Sequence, residues 1–244
     1  MKVPRGNPVN QPFSFSEVAQ RYDVLNHLMS LGRDRHWRKI AAEAAGLPAG
    51  GRVLDVGTGT GDMALALLHR WPESRIVGLD PATKMMRAGR SKVEAKKIGW
   101  TQGNGLRLPF PDGHFDGVVS AFLLRNVIDV SGALTEQCRV VRPPDPVTGR
   151  PGGRVVCLEM TWPRARVFRT LFKLYFAKLA PPIMGMLSGH PAAYRYLPRS
   201  VQRFMPPEEL KATMEQAGLQ NVHYRTLMLG TVALHVGQRG APSR

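Results

Sequence analysis

The stretch VLDVGTGTGD, Val53 to Asp62, decides how the rest of the chain is read. An apolar strand runs into Asp55, three glycines alternate with threonines, and an acid closes the run. Glycine lacks a Cβ and adopts φ values that other residues avoid, so such a turn brings bare backbone against a ligand. The helix that follows from about Asp62 offers its free amides to the same place. The spacing is GxGxG. A dinucleotide fingerprint needs GxGxxG, and a P-loop needs GxxxxG followed by Lys and a hydroxyl. Neither fits Gly57, Gly59 and Gly61.

The charges around the turn narrow the ligand. Asp55 and Asp62 would repel a phosphate and suit an ammonium or a sulfonium. The second strand ends in Asp80, 25 residues after Asp55. An acid at that strand end is placed to accept hydrogen bonds from both hydroxyls of a ribose. A ribose, a carboxylate, positive centres and no phosphate describe S-adenosylmethionine. The alternative is a structural turn with Asp80 as a helix cap, which leaves the order of the pieces unexplained. Asp55, Gly57, Gly59, Thr60 and Asp80 are therefore the cofactor candidates. Asn104-Gly105 follows the third strand, at the adenine end, where Asn offers both a donor and an acceptor to a purine edge. In LPFPDGHFD (Leu108–Asp116) Pro and Gly make a tight connection, and Phe110 packs under the loop rather than on the adenine.

The pattern outward from the turn alternates strand and helix. Strands are predicted at Arg52–Val56, Arg75–Asp80, near Trp100–Gln102, at Phe115–Phe122 and at Arg154–Met160. Helices are predicted at Asp62–Arg70, Ala82–Lys97 and Val130–Val141. This alternation argues for a parallel, doubly wound α/β sheet. Its short strands, rich in Val, Ile and Leu, fit burial on both faces. The end of the chain differs: a helix at Pro207–Ala217 precedes strands at Val222–Leu229 and Thr231–Gln238, which Gly230 joins as an antiparallel hairpin.

Composition sets the outer bounds. A chain of 244 residues, 43% hydrophobic and 21% charged, suits one soluble α/β unit. Cys138 and Cys157 lie in apolar surroundings without a CxxC or a histidine cluster, so neither a disulfide framework nor a metal site is expected. The reading is a cytoplasmic protein. The start MKVPRGNPVNQPF lacks the apolar core of a signal peptide, and no apolar run approaches the roughly 18 residues of a bilayer span.

At this point the motifs carry a resemblance. VLDVGTGTGD, GLD, LPFPDGHFD and LLRNV, in that order, resemble class I methyltransferases. YDVLNHLMSLGRDRHWRK (Tyr22–Lys39), YRYLPRSV (Tyr194–Val201) and GTVALHVGQR (Gly230–Arg239) are similar to blocks of the quinone-biosynthesis C-methyltransferases. The resemblance spans Phe13 to Arg239. It implies a Rossmann-like fold with a mostly parallel seven-stranded sheet, an antiparallel C-terminal hairpin and an N-terminal helical lid. The lid would occupy residues 1–48, the methyltransferase domain 49–244, with a helical insertion at about 163–205. Two departures stand out. Asp34-Arg35 replaces the family's usual His-Arg, and RVVRPPDPVTGRPGGRVVCLEMT carries an extra turn at about Pro144–Arg150. Thr161 replaces a serine in the Glu-x-Ser of the pattern.

The implied reaction is C-methylation of a polyprenyl quinol, demethylmenaquinol to menaquinol. A ubiquinone precursor (2-polyprenyl-6-methoxy-benzoquinol) or another small phenolic or sterol-like ring is the alternative substrate. Ring carbon is a weak nucleophile until the ring hydroxyl loses its proton, so the site must favour a phenolate and align carbon, methyl and sulfur. Arg125-Asn126, just past the fourth strand, falls at the carboxyl edge of the sheet. Arg125 would stabilise the phenolate. An arginine is no base at neutral pH, so the proton acceptor would be a water or a carboxylate such as Asp129. A salt bridge from Arg125 to an acid of the sheet is the structural alternative. Ala121 completes the cofactor set. Tyr22, Asn26 and Asp34 of the lid would face the substrate, while Trp37 reads as packing.

The net charge is +16, and Arg139–Arg244 holds 16 Lys/Arg against 5 Asp/Glu. Such a surface favours polyanions. An arginine-rich composition without any such partner gives the same charge. No tetrapeptide of the NPPY type, zinc knuckle or basic-aromatic stripe points to nucleic acid. In Ala165–Gly189, Phe168, Leu171, Phe172, Tyr175 and Leu179 share one helical face, and Arg166, Arg169 and Lys173 lie largely elsewhere. A basic amphipathic helix suits peripheral contact with the anionic inner face of the plasma membrane. Packing on the domain or on a homodimer mate stays open.

Overall fold

The computed structural model describes residues 22–175 and 199–241. Most of the predicted insertion, with Leu179 and Pro181-Pro182, lies outside the described residues.

Helices α1 (Tyr22–Met29) and α2 (Asp34–Ala44) come first. Then follow β1 (Arg52–Val56), α3 (Asp62–Arg70), β2 (Arg75–Asp80), α4 (Thr83–Arg90), β3 (Ile98–Gln102) and β4 (Gly117–Ala121). Next are α5 (Val130–Val140), β5 (Arg154–Met160), α6 (Arg166–Leu174), α7 (Pro207–Gln216), β6 (Leu219–Leu227) and β7 (Val232–Arg239). The seven strands form one sheet in the order β3-β2-β1-β4-β5-β7-β6. β1 pairs in parallel with β2 and β4, β4 with β5, and β7 runs antiparallel between β5 and β6. The strand order reverses between β1 and β4, and ligands of open α/β sheets bind at that switch point, beyond the carboxyl ends of the strands.

Burial on both faces drives this arrangement. Trp37, Ala41, Met63 and Leu67 of α2 and α3 cover one face, over Val53, Ile76, Val119 and Val156. Leu134 and Cys138 of α5 with Leu210 and Met214 of α7 cover the other, over Leu54, Val118, Val155 and Cys157. Alternate strand residues thus enter opposite cores, which is why these strands read as unbroken apolar runs.

Three elements differ from expectation. The helix predicted over Ala82–Lys97 ends at Arg90, and a 3₁₀ turn at Val93–Lys97 follows. The Ser91 hydroxyl donates back to Ala88 O at 2.6 Å, and Lys92 is extended (φ −70°, ψ 137°). Serine side chains that bond the preceding turn compete with helix propagation. β4 is shorter than Phe115–Phe122, because Phe115 makes only an isolated bridge to Val141. β6 starts earlier than Val222, at Leu219, and a bulge between Gln220 and His223 restores its register with β7. The predicted extra turn closes through an Asp145–Arg150 bridge.

Candidate functional site

The glycine turn leaves β1 with its backbone committed to the neighbouring strand. The amides of Gly57 and Thr58 both donate to Leu79 O, at 2.8 and 3.0 Å. Gly57 sits at φ +72°, and a Cβ there would meet Leu123 Cδ1 at 2.7 Å. The turn after β1 therefore touches the loop after β4, which brings the cofactor candidates of the turn close to the loop that carries Arg125. Gly59 has open space, its nearest neighbour from a built Cβ being Met85 Cε at 3.5 Å. Its φ of +55° demands glycine instead. Its amide donates to Asp80 Oδ2 at 2.9 Å, and Ala82 N donates to Asp80 Oδ1 at 2.8 Å. Two backbone donors thus fix the Asp80 carboxylate at the end of β2, and each oxygen keeps a lone pair. Burial pushes Asp80 above the ordinary carboxylate range, and those two amides oppose it.

Asp55 is enclosed at the base of the turn. Oδ2 accepts from the Thr58 hydroxyl at 2.6 Å, and Oδ1 has no hydrogen-bond partner among the described residues. Burial raises its pKa to about 7, with the Thr58 hydroxyl and Arg38 opposing and Asp80 adding to the rise. A buried acceptor of this kind, below a glycine cradle and beside an acid suited to ribose, fits a sulfonium ligand with an ammonium group. The Thr60 hydroxyl donates to Asp23 of α1. Asp23 also pairs with Lys92 at 2.8 Å, and Lys92 with Asp62 at 2.6 Å. α1 is thereby tied to the glycine turn and to the start of α3.

Asn104 and Gly105 stand beyond β2 and β1. Gly103 N donates to Asp80 O at 3.3 Å, and a Cβ on Gly105 would meet Val56 Cγ1 at 3.3 Å. Asn104 Oδ1 accepts from Leu106 N at 2.9 Å, an Asx-type turn, so its side-chain donor is the group left for a ligand. Phe110 packs edge-on against Phe115, centroids 5.0 Å apart.

Ala121 ends β4. Phe122 follows at φ +59°, a strained conformation for an aromatic residue. Its ring packs edge-on with Trp37, and the guanidiniums of Arg38 and Arg125 each lie 5.6 Å from its centroid. Arg125 Nη1 donates to Glu159 Oε2 at 2.9 Å, and both side chains are buried. This is the ion pair weighed above as the structural alternative. Burial raises the pKa of Glu159, and Arg125 opposes that rise. Arg125 Nε and Glu159 Oε1 have no hydrogen-bond partner among the described residues. Asn126 Nδ2 donates to Phe122 O at 3.0 Å, bracing the strained residue. Asp129 caps α5, its Oδ1 accepting from Gly132 N at 2.8 Å.

In α2, Asp34 is buried and engaged. It accepts from Arg38 at 2.7 Å and from Ser30 at 2.9 Å, and contacts His27 Nδ1 at 2.9 Å. Burial pushes its pKa up, but His27, Arg38 and Ser30 outweigh burial and lower it. Asp34 thus joins α1 to α2, and its carboxylate is turned to those partners. Asn26 lies on α1, where Ser30 N bonds its carbonyl at 2.9 Å. The Tyr22 side chain lies outside the described residues.

Sequence reasoning missed two partners. Glu159 was readable as a lone acid in the apolar run VVCLEM. Arg38 was readable as the i+4 partner of Asp34. Neither signal says that Arg125 and Arg38 flank one ring.

The model of the ubiE/COQ5 methyltransferase family matches residues 7–239. Demethylmenaquinone methyltransferase of Thermus thermophilus is 44% identical over 227 residues, 92% of this chain and 99% of that protein. The ubiquinone/menaquinone biosynthesis C-methyltransferase UbiE of Geobacter sulfurreducens is 42% identical over 231 residues, 93% of this chain and 87% of that protein. Among solved structures, a SAM-dependent methyltransferase of Thermotoga maritima superposes with a TM-score of 0.61 at 18% identity, covering 92% of this chain and 97% of its own.

Proposed function

The chain belongs to the ubiE/COQ5 methyltransferase family, and on that premise we propose that it converts demethylmenaquinol to menaquinol by C-methylation of the ring. It is an S-adenosylmethionine-dependent methyltransferase of quinone rings. The match to the Thermus enzyme, over nearly the whole of both chains, carries this reading. Relatives named for both ubiquinone and menaquinone keep the benzoquinol precursor as the second substrate.

S-adenosylmethionine supplies a sulfonium-bound methyl group to the ring carbon. Asp80 is assigned to its ribose hydroxyls, Asp55 and the Gly57–Thr60 amides to its amino-acid end, and Asn104-Gly105 with Ala121 to its adenine side. Arg125 is assigned to the ring oxygen. Its Nε–H is a buried donor beside the cofactor turn, so it lowers the energy of the phenolate where charge develops. Asn126 positions it by bracing Phe122. The hydroxyl proton leaves to a water or to a carboxylate, and after methyl transfer the ring carbon gives up its own hydrogen as a proton while the ring oxygen regains one, which restores the aromatic quinol. Asp129 keeps one oxygen on its own helix and its side chain in solvent, which suits a relay to water. Tyr22 and Asn26 are assigned to the substrate-facing lid, and Asp34 acts through Arg38.

A lipid substrate calls for a membrane-facing surface, and we assign it to α6. Val167, Phe168 and Leu174 are exposed there, as are Arg166 and Arg169. The sequence has 8 Lys/Arg and no Asp/Glu between Glu159 and Glu208. No described helix is long and apolar enough to cross a bilayer. The test is quinone extraction from cells lacking the gene, with purified protein, cofactor and reduced demethylnaphthoquinone as the second arm. Accumulated demethylmenaquinone and methyl transfer in vitro are expected. An unchanged quinone profile, or methylation of a different phenol alone, overturns the reading.

A further inference from the structure

Beyond β5 the sheet edge opens into a cleft of about 700 Å³ between α6 and the start of α7. Volumes of this size hold small-molecule ligands. Its lining includes Thr161, two residues past Glu159. Two extended residues span about 7 Å, so the cleft begins that close to the acid that holds Arg125. The walls are mostly apolar: Trp162, Val201, Phe204, Met205, Pro206 and Leu229. The lining also includes Phe168, part-exposed on the basic helix α6.

The two charged side chains of the lining pair with each other: Glu208 Oε1 accepts from Arg164 and also from the Tyr224 hydroxyl. Thr161 N donates to Thr231 O at 2.9 Å. With its charges paired and most of its lining apolar, the cleft favours a hydrocarbon over a charged head group. A hydrocarbon chain attached to the ring at the Arg125 end, and leading out past Phe168, has the shape of a prenyl tail.

We propose that this cleft binds the first isoprene units of the quinol's tail, and so selects prenylated rings over tail-less phenols. The inference rests on the quinol reading. It deepens that reading by separating tail recognition, beyond β5 and between α6, β6 and the start of α7, from ring chemistry at Arg125. Burial of each further unit in the cleft strengthens binding until the cleft is filled; units beyond it stay in the membrane.

The experiment uses the full-length protein with S-adenosylmethionine and reduced demethylnaphthoquinones carrying zero, one, two or three isoprene units, without lipid or detergent. In the wild type kcat/KM should rise with each unit, through KM. Thr226→Trp fills the cleft from β6, and Leu229→Asp places a charge on its wall; both positions are exposed, so the fold tolerates them. In each variant the ratio of kcat/KM for the three-unit ring to that for the bare ring should fall at least tenfold. Wild-type kcat/KM that ignores tail length overturns the proposal while leaving ring methylation intact. So does a tail dependence that survives both substitutions. A changed solution mass in Thr226→Trp with unaltered tail dependence assigns the cleft to a second copy of the chain and overturns it as well. Failure to methylate any of the four rings overturns the quinol reading itself, and the tail site with it.

Discussion

On the side of the sheet edge proposed for the cofactor Asp55 is 1% exposed, and on the side proposed for the methyl acceptor Glu159 is 1% exposed. Both carboxylates have one oxygen without a hydrogen-bond partner among the described residues. Desolvation raises the pKa of both. Their partners differ. Glu159 faces Arg125 at 2.9 Å, whereas Asp55 has the Thr58 hydroxyl and only a more distant Coulombic influence from Arg38. On the proposed assignment the quinol side carries its own counter-charge, and the remaining donors of Arg125 are left for a developing phenolate. The proposed cofactor side holds an acid that would gain a direct counter-charge from a cationic ligand. The proposal thus gives one edge of one sheet opposite charge preferences at two points a single loop contact apart.

The largest effect should follow from breaking the pair on the acceptor side. Arg125→Ala strands a buried carboxylate, which costs about 3–5 kcal/mol of stability at neutral pH. The loss should shrink as pH falls, because Glu159 is then neutral in the folded variant. Turnover should drop roughly 10²-fold or more, the usual effect of removing one oxyanion donor. The double variant Arg125→Ala/Glu159→Gln separates the two roles. It should recover most of the thermal stability in calorimetry and none of the turnover. Recovery of both together would reduce Arg125 to the counter-ion of Glu159.

Next in size is Asp80. Asp80→Ala removes acceptors for two ribose hydroxyls and should weaken S-adenosylmethionine by about 2–3 kcal/mol, roughly 30- to 160-fold. Asp80→Asn keeps one acceptor and should lose less. Titration calorimetry on the folded variants measures it, and unchanged affinity removes Asp80 from the ribose. Turnover at saturating cofactor should stay near the wild-type value, in contrast to Arg125.

These two residues were also unequally legible in the sequence. Asp80 ends an apolar run, RIVGLD, 25 residues after Asp55, and its place follows from strand periodicity and the glycine turn alone. The same holds for β1, α3, β2 and β5, whose observed bounds match the expected ones. Local pattern suffices there because each strand is buried on both faces and each turn is punctuated. Arg125 could be placed at the sheet edge, but its pairing with Glu159 joins residues 34 apart and has no local signature. Lys92 is similar. The helix predicted through it breaks, and its ammonium reaches Asp23 and Asp62. The capping role of Asp129 was readable from DVSG, an acid three residues before the amide it holds. The Asp34–Arg38 spacing announced an i,i+4 pair, and its burial against Phe122 came only from the packing of α2 on the sheet.

The third prediction tests the unpaired acid. With its pKa raised from 3.8 to about 7, Asp55 contributes stability to the ligand-free fold that is fully present below pH 3.8 and is lost as pH rises through about 7. Asp55→Asn should therefore raise the melting temperature of the ligand-free protein at pH 8 more than at pH 5. Cofactor binding should show the opposite slope. If only the ionised acid receives the ligand's cation, affinity should increase about tenfold from pH 6 to pH 8, with uptake of the ligand releasing a proton. Asp55→Asn should flatten that dependence. A wild-type affinity that is level across this range would mean Asp55 stays neutral with ligand bound, and the contrast with Glu159 would collapse.

The smallest effect concerns the lid, and it asks how far the cofactor side extends. Asp23 accepts from Thr60 and pairs with Lys92, yet its side chain and that of Lys92 are about a third exposed. Exposed pairs of this kind contribute up to about 1 kcal/mol, which caps the expected effect at roughly fivefold. Asp23→Ala should speed cofactor dissociation by a few-fold in stopped flow, by loosening α1 from the turn. It should leave the Arg125-dependent step unchanged, because no described contact of Asp23 reaches the loop after β4. Salt provides the internal control. At 1 M ionic strength the Debye length is about 3 Å, so the wild-type dissociation rate should approach that of the variant, while the variant itself should respond little. A wild-type rate indifferent to salt would place the hold of the lid in the Thr60 hydrogen bond alone, and Thr60→Val should then reproduce the whole effect of Asp23→Ala.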